Sequence, residues 1–79
     1  MSKIIMNTLD LIPSGKTVRI QQLNNQPETC QRLRELGFCE NATVRCVTNG
    51  SMQLICEVCN TRVGLNHSIA SSIIVSPIL

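Results

Sequence analysis

The sequence predicts a mainly β domain in which short strands share one aliphatic face and a single helix is inserted early. Three observations carry this. Apolar and polar residues alternate through "KTVRIQQL", "ATVRCVT", "MQLICEV" and "TRVGL", the period of half-buried strands. Only "NNQPETCQRLRELG" has helical spacing, with Cys30, Leu33 and Leu36 at i, i+3 and i+6. Turn chemistry separates the segments, in "LIPSG", "NGS" and "CN".

The elements follow in order. "LIPSG" is a turn punctuated by Pro13 and Gly15, and the strand after it turns Val18 and Ile20 to one face. In the helix, Asn25 and Glu28 are placed for a capping box, Pro27 suits the first turn and Gly37 the position just past the end. Leu33 and Leu36 then face the core, while Arg32, Arg34 and Glu35 point elsewhere. After "FCEN", Ala42, Val44 and Cys46 alternate with Thr43 and Arg45; Met52, Leu54, Cys56 and Val58 do the same in the next strand. A three-residue loop Asn49-Gly50-Ser51 keeps both apolar faces on one side by pairing Cys46 with Leu54 and Val44 with Cys56. That register sets Ala42 opposite Val58. A two-residue loop Cys59-Asn60 pairs Val58 with Thr61, Cys56 with Val63 and Leu54 with Leu65. Asn66 caps one helical turn in "NHSIASS", and "IIV" is a last strand ended by Pro77. Five short strands over one aliphatic face, an inserted helix and a helical turn before the last strand describe a small SH3-like β-barrel.

Length and composition bound the function. The chain of 79 residues makes one domain, 1–79, with a thin core. Apolar residues at 43% and charged residues at 15% describe a folding chain, not a disordered one. A single Phe, with no Trp or Tyr, makes the core aliphatic and leaves no stacking platform for bases. A net charge of +2 is too weak for an electrostatic nucleic-acid binder. "MSKIIMNTLD" does not read as a signal peptide, and no run reaches the length of a membrane-spanning helix. The expected setting is cytoplasmic, with the five cysteines reduced; a disulfide framework is the alternative.

"CEVC", residues 56–59, has the spacing of half a zinc site. Read in register, Cys56 is a core position and Cys59 a turn position, so the two sulfurs diverge. The same register brings the "FCEN" and "VCNT" turns to one end of the barrel. Cys39 and Cys59 are therefore the candidate metal ligands, with iron or zinc the expected ion, against the plainer reading of two unrelated surface thiols. His67 falls nearer the other end and reads as a surface residue at a helix start. No phosphate loop, GxSxG or HExxH motif is present, so an enzyme is not expected. Nothing places His67 beside Cys30, Cys39 or Cys59 as a catalytic dyad. Arg19, Arg32, Arg34, Arg45 and Arg62 lie on outward faces, as a solvated surface, as a docking rim or, least favoured, as phosphate contacts.

The residues also resemble a known family. "RLRELGF" followed by "ENATVRCV" is similar to the "RLxxLGhxxGxxVxV" core of the ferrous iron transport protein A (FeoA) family. "VCNTRVGLNHSIASSIIV" resembles that family's closing "VxGxxhALxxxhAxxIxV", and "LIPSGKTVRIQQL" its opening turn and strand. The resemblance implies an SH3-like fold and a non-enzymatic cytoplasmic accessory of ferrous iron uptake. Its partner would be the membrane iron permease that carries a cytosolic GTP-binding domain (FeoB). Related domains at the C-termini of iron-dependent repressors imply a general interaction module as another reading. For docking, the helix region Arg32, Leu33, Arg34, Leu36 and Phe38 supplies the candidates, with Arg32, Arg34 and Phe38 the expected surface residues. Asn41 and Asn60 stand where the family usually has glycine, and Gly64 where it often has alanine. The cysteines are not family motif positions, so the resemblance carries no metal role to them. An exposed strand edge leaves self-association open.

Overall fold

The computed structural model describes residues 6–78. Its order is β1 (Asn7–Thr8), a 3-10 turn (Leu9–Leu11), β2 (Thr17–Leu23), α1 (Pro27–Glu35), β3 (Thr43–Asn49), β4 (Gln53–Val58), β5 (Thr61–Asn66), α2 (His67–Ala70) and β6 (Ile73–Pro77). The strands form one antiparallel sheet in the order β1-β6-β2-β3-β4-β5, curled around a single core. Among the described residues, hydrogen bonds do not close the sheet: β1 and β5 are its two edges. The mainly β, SH3-like arrangement matches the expectation, with β1 and the 3-10 turn added. Leu9 in that turn is fully buried, and no periodic pattern surrounds it to reveal its role.

Alternation predicts the core well. Val18, Ile20, Val44, Cys46, Leu54, Cys56, Val58 and Leu65 are all buried, while Thr43, Arg45 and Arg62 face outward. The β4–β5 hairpin has the expected register: Val58 opposite Thr61, Cys56 opposite Val63, Leu54 opposite Leu65. Its two-residue turn requires positive φ at both positions, and Cys59 (52°) and Asn60 (61°) adopt it.

The β3–β4 hairpin differs from expectation. Cys46 pairs with Cys56, not Leu54, and a bulge at Val47 shifts the register so that Asn49 opposes Leu54. The loop is therefore not Asn49-Gly50-Ser51: Gly50 N–H donates to the Gln53 carbonyl at 3.0 Å, and Ser51 and Met52 form the tip. Met52, expected on the apolar face, is 87% exposed. A slip of two residues leaves every side chain on its original face, so alternation alone does not separate the registers. Tertiary contacts do. The Asn49 side-chain amide donates to the carbonyls of Asp10 (2.9 Å) and Ile12 (2.8 Å), and its backbone N–H donates to Ser14 Oγ (2.9 Å). These bonds fix the end of β3 against the 3-10 turn. Ala42 is consequently not opposite Val58.

The helix starts one residue later than the capping box requires. Gln26 is the N-cap, without a side-chain bond, and Pro27 opens the first turn. The Asn25 side-chain oxygen Oδ1 accepts from Gln26 N–H at 2.7 Å, and its side-chain amide Nδ2 donates to Ser72 Oγ at 2.9 Å. At the other end Gly37 (φ 105°) ends the helix as expected. Phe38 N–H returns to the Leu33 carbonyl (2.8 Å) and Gly37 N–H to that of Arg34 (3.0 Å), the paired bonds of a Schellman motif. This motif turns the chain so that Phe38 enters the core (0% exposed) and Leu36 is left outside (42%). Both reverse the expectation, because the i+6 position lies past the last full turn. In α2 the Asn66 side chain accepts from Ile69 N–H at 2.7 Å, the cap the sequence predicts.

Candidate functional site

The docking candidates divide sharply. Leu33 is buried and Phe38 fully so; both hold α1 to the barrel, and neither offers a surface. Arg32, Arg34 and Leu36 are exposed. Glu28, Arg32 and Leu36 recur every four residues and form one ridge along the helix. Beside the ridge, Glu28, Thr29, Arg32 and Ile69 line a shallow groove between α1 and α2. Arg34 takes a different direction and bonds Glu40 beyond the helix, Nη2 to Oε2 at 2.9 Å and Nε to Oε1 at 3.3 Å. The hydrogen bond from Arg34 is the main cause that holds the Glu40 carboxyl below its ordinary range. Sequence reasoning passed over Glu40; opposite charges on either side of Gly37 were its only signal.

The same loop holds the thiols. Cys39 and Cys59 are exposed, whereas Cys30, Cys46 and Cys56 are buried, and all five are free. Cys39 Sγ lies 3.8 Å from the Gly37 carbonyl. A methyl group at Gly37 would lie 3.1 Å from Cys59 Sγ. Both sulfurs therefore sit against one glycine, within about 10 Å of each other. Cys46 and Cys56 are cross-strand neighbours in the core. Burial pushes the Cys56 thiol up to about 11, with a smaller contribution from Cys46, and raises Cys46 too. Neither is a thiolate near neutral pH, so "CEVC" is one packing residue and one turn residue. Among the described residues, no three His, Cys, Asp or Glu side chains converge on a metal position.

His67 is only half-exposed, and its Nε2 meets the Gly50 carbonyl at 2.6 Å. It clamps the β3–β4 turn at the end opposite Cys59, and is not the surface residue expected. Among the described residues, no helix is long and apolar enough to cross a membrane.

A small SH3-like β domain carrying a solvent-facing helix is thus the class of protein that this architecture defines. A family model described as the FeoA domain matches residues 7–77, and the chain belongs to the FeoA family. Among solved structures, FeoA of Stenotrophomonas maltophilia complexed with zinc is 32% identical. The match covers 86% of this chain and 87% of that one, with a TM-score of 0.72. FeoA protein from Chlorobium tepidum is 15% identical over 91% of this chain and 70% of that one (TM-score 0.84). A manganese-dependent transcriptional repressor shares the fold at 14% identity and TM-score 0.86. There the match covers 99% of this chain and 45% of the repressor. No curated protein matches the chain.

Proposed function

We propose that this domain is a non-enzymatic accessory of ferrous iron uptake that works in the cytoplasm by docking on the GTP-binding domain of a membrane iron permease. The ridge of Glu28, Arg32 and Leu36 is the docking surface. Membership of the FeoA family supports the setting. For the S. maltophilia relative, a role as a ferrous iron transport activating factor has been suggested. The observation that carries the docking mode is Leu36. It is a large apolar side chain, 42% exposed, on the outer face of a helix whose inner face is already anchored by Cys30 and Leu33. An exposed leucine flanked by arginine has the composition of an interface centre and rim.

The test is pull-down of the intact permease by the purified domain, wild type and Arg32→Glu/Leu36→Ala. Retention by the wild type with at least a tenfold weaker hold by the double variant is expected. Failure of the folded wild type to retain the permease, or equal retention by both, refutes the docking surface.

A further inference from the structure

The two-residue slip of β3 against β4 sets one thiol opposite another. Cys46 and Cys56 are direct cross-strand partners, and both side chains are fully buried on the core face. The Cys46 backbone turns away from β4: its N–H donates to the Lys16 carbonyl at 2.8 Å, and its carbonyl accepts from Gly15 N–H at 2.6 Å. The pair therefore occupies a non-hydrogen-bonded position, where Cα atoms stand about 4.5 Å apart and side chains come closest. That spacing lies within the range of about 4.4–6.8 Å that a disulfide spans. The thiols are near enough for Cys46 to contribute to the raised value of Cys56. Cys46 Sγ lies 3.5 Å from the Ile12 carbonyl in the reduced protein. When the sulfur turns to Cys56, that carbonyl keeps its bond from the Asn49 amide at 2.8 Å, so no buried acceptor is orphaned. Beside the pair, the bulge at Val47 interrupts the ladder.

We propose that Cys46 and Cys56 are a site of reversible oxidation by peroxide, closing a cross-strand disulfide that locks the β3–β4 hairpin. Local opening of the hairpin beside the bulge admits peroxide and returns the thiols to their ordinary range. One thiolate attacks a peroxide oxygen, the O–O bond breaks and hydroxide leaves, which gives a sulfenic acid. The second sulfur attacks the first, the S–O bond breaks and water departs. Two thiols and one hydrogen peroxide thus yield one disulfide and two waters; a small thiol reverses the reaction by exchange. Both forms of the pair are uncharged, so the apolar core accepts either. Cys30 does not compete, because its Sγ faces the carbonyls of Leu23 and Asn25 where β2 runs into α1. The disulfide ties residues 46 and 56 across the turn that His67 and Asn49 already hold. It is independent of the docking reading, and each can fail without the other.

The experiment treats the folded 79-residue chain with hydrogen peroxide at neutral pH, then alkylates, digests without reductant and maps the links by mass spectrometry. It is run on the wild type and on Cys39→Ser/Cys59→Asn, in which only the buried thiols remain. Both proteins should show a Cys46–Cys56 link. The double variant should lose about 2 Da in intact mass, keep Cys30 free for alkylation once unfolded, and regain the mass with dithiothreitol. Cys56→Val in the same background fills the core and should lose no mass. The urea midpoint of the oxidised double variant should exceed that of its reduced form, because the link restrains the unfolded chain. Any of four results overturns the proposal. They are no Cys46–Cys56 link in the folded chain, a link formed only in urea, mass gained as sulfinic acid in place of a link, and a midpoint lowered by oxidation.

Discussion

Two neighbouring residues show how local backbone chemistry decides burial. Leu36 and Phe38 flank a glycine with φ 105°, and the reversal it makes sends one side chain out and the other in. Phe38→Ala should therefore cost about 3–5 kcal/mol, a large fraction of the stability of so small a domain. Leu36→Ala should change stability by less than about 0.5 kcal/mol. Urea unfolding of the two variants checks both values. Cys59→Asn is expected to raise stability by about 1 kcal/mol, by relieving the left-handed backbone at an exposed position. The same denaturation experiment reads it as a higher midpoint at unchanged slope.

Among the elements, α1 depends on its C-terminal end more than on its start. It lacks a side-chain N-cap bond, while its last turn is closed by the two backbone bonds of the Schellman motif and by Phe38 beneath it. Gly37→Ala should cost about 1–2 kcal/mol from the positive φ alone, and the added methyl would also crowd Cys59 Sγ. Hydrogen exchange should show the loss concentrated at Phe38 and Gly37 N–H; a uniform loss across the sheet would contradict this account. The β3–β4 hairpin teaches a complementary lesson. Its parity was legible from alternation, but its register rests on a bulge and on Asn49 reaching the 3-10 turn. No local pattern encodes a bond between residues nearly forty positions apart.

On the scale of the whole molecule, the core carries two cross-strand thiols that must stay neutral. Cys56 is pushed from an ordinary 9.0 up to about 11, mainly by burial. A folded value above the unfolded one means that this contribution to stability is complete below pH 9 and is lost as pH rises towards 11. The loss should be about 2 kcal/mol. Stability measured from pH 8 to 11 should fall accordingly, and Cys56→Val should flatten the curve. A wild-type profile as flat as the variant's would show that Cys56 does not ionise on unfolding. The two sheet edges complete this level: β1 is only two residues long, and β5 presents a six-residue edge. Backbone groups on such an edge are open to pairing with another strand.

The sequence by itself determined the class of fold, the faces of β2 to β5, the β4–β5 turn and the helix stop at Gly37. Each is written in a period of two or in a residue tolerant of positive φ, and both are local signals. It also carried the family likeness, spread over aliphatic and glycine positions. Tertiary structure alone decided the rest. It turned Phe38 inward and Leu36 outward, slid β3 by two residues against β4, seated His67 on Gly50, tied Arg34 to Glu40 and set two thiols against Gly37. These depend on which segments meet in space, and alternation records only the side of the sheet that a residue faces.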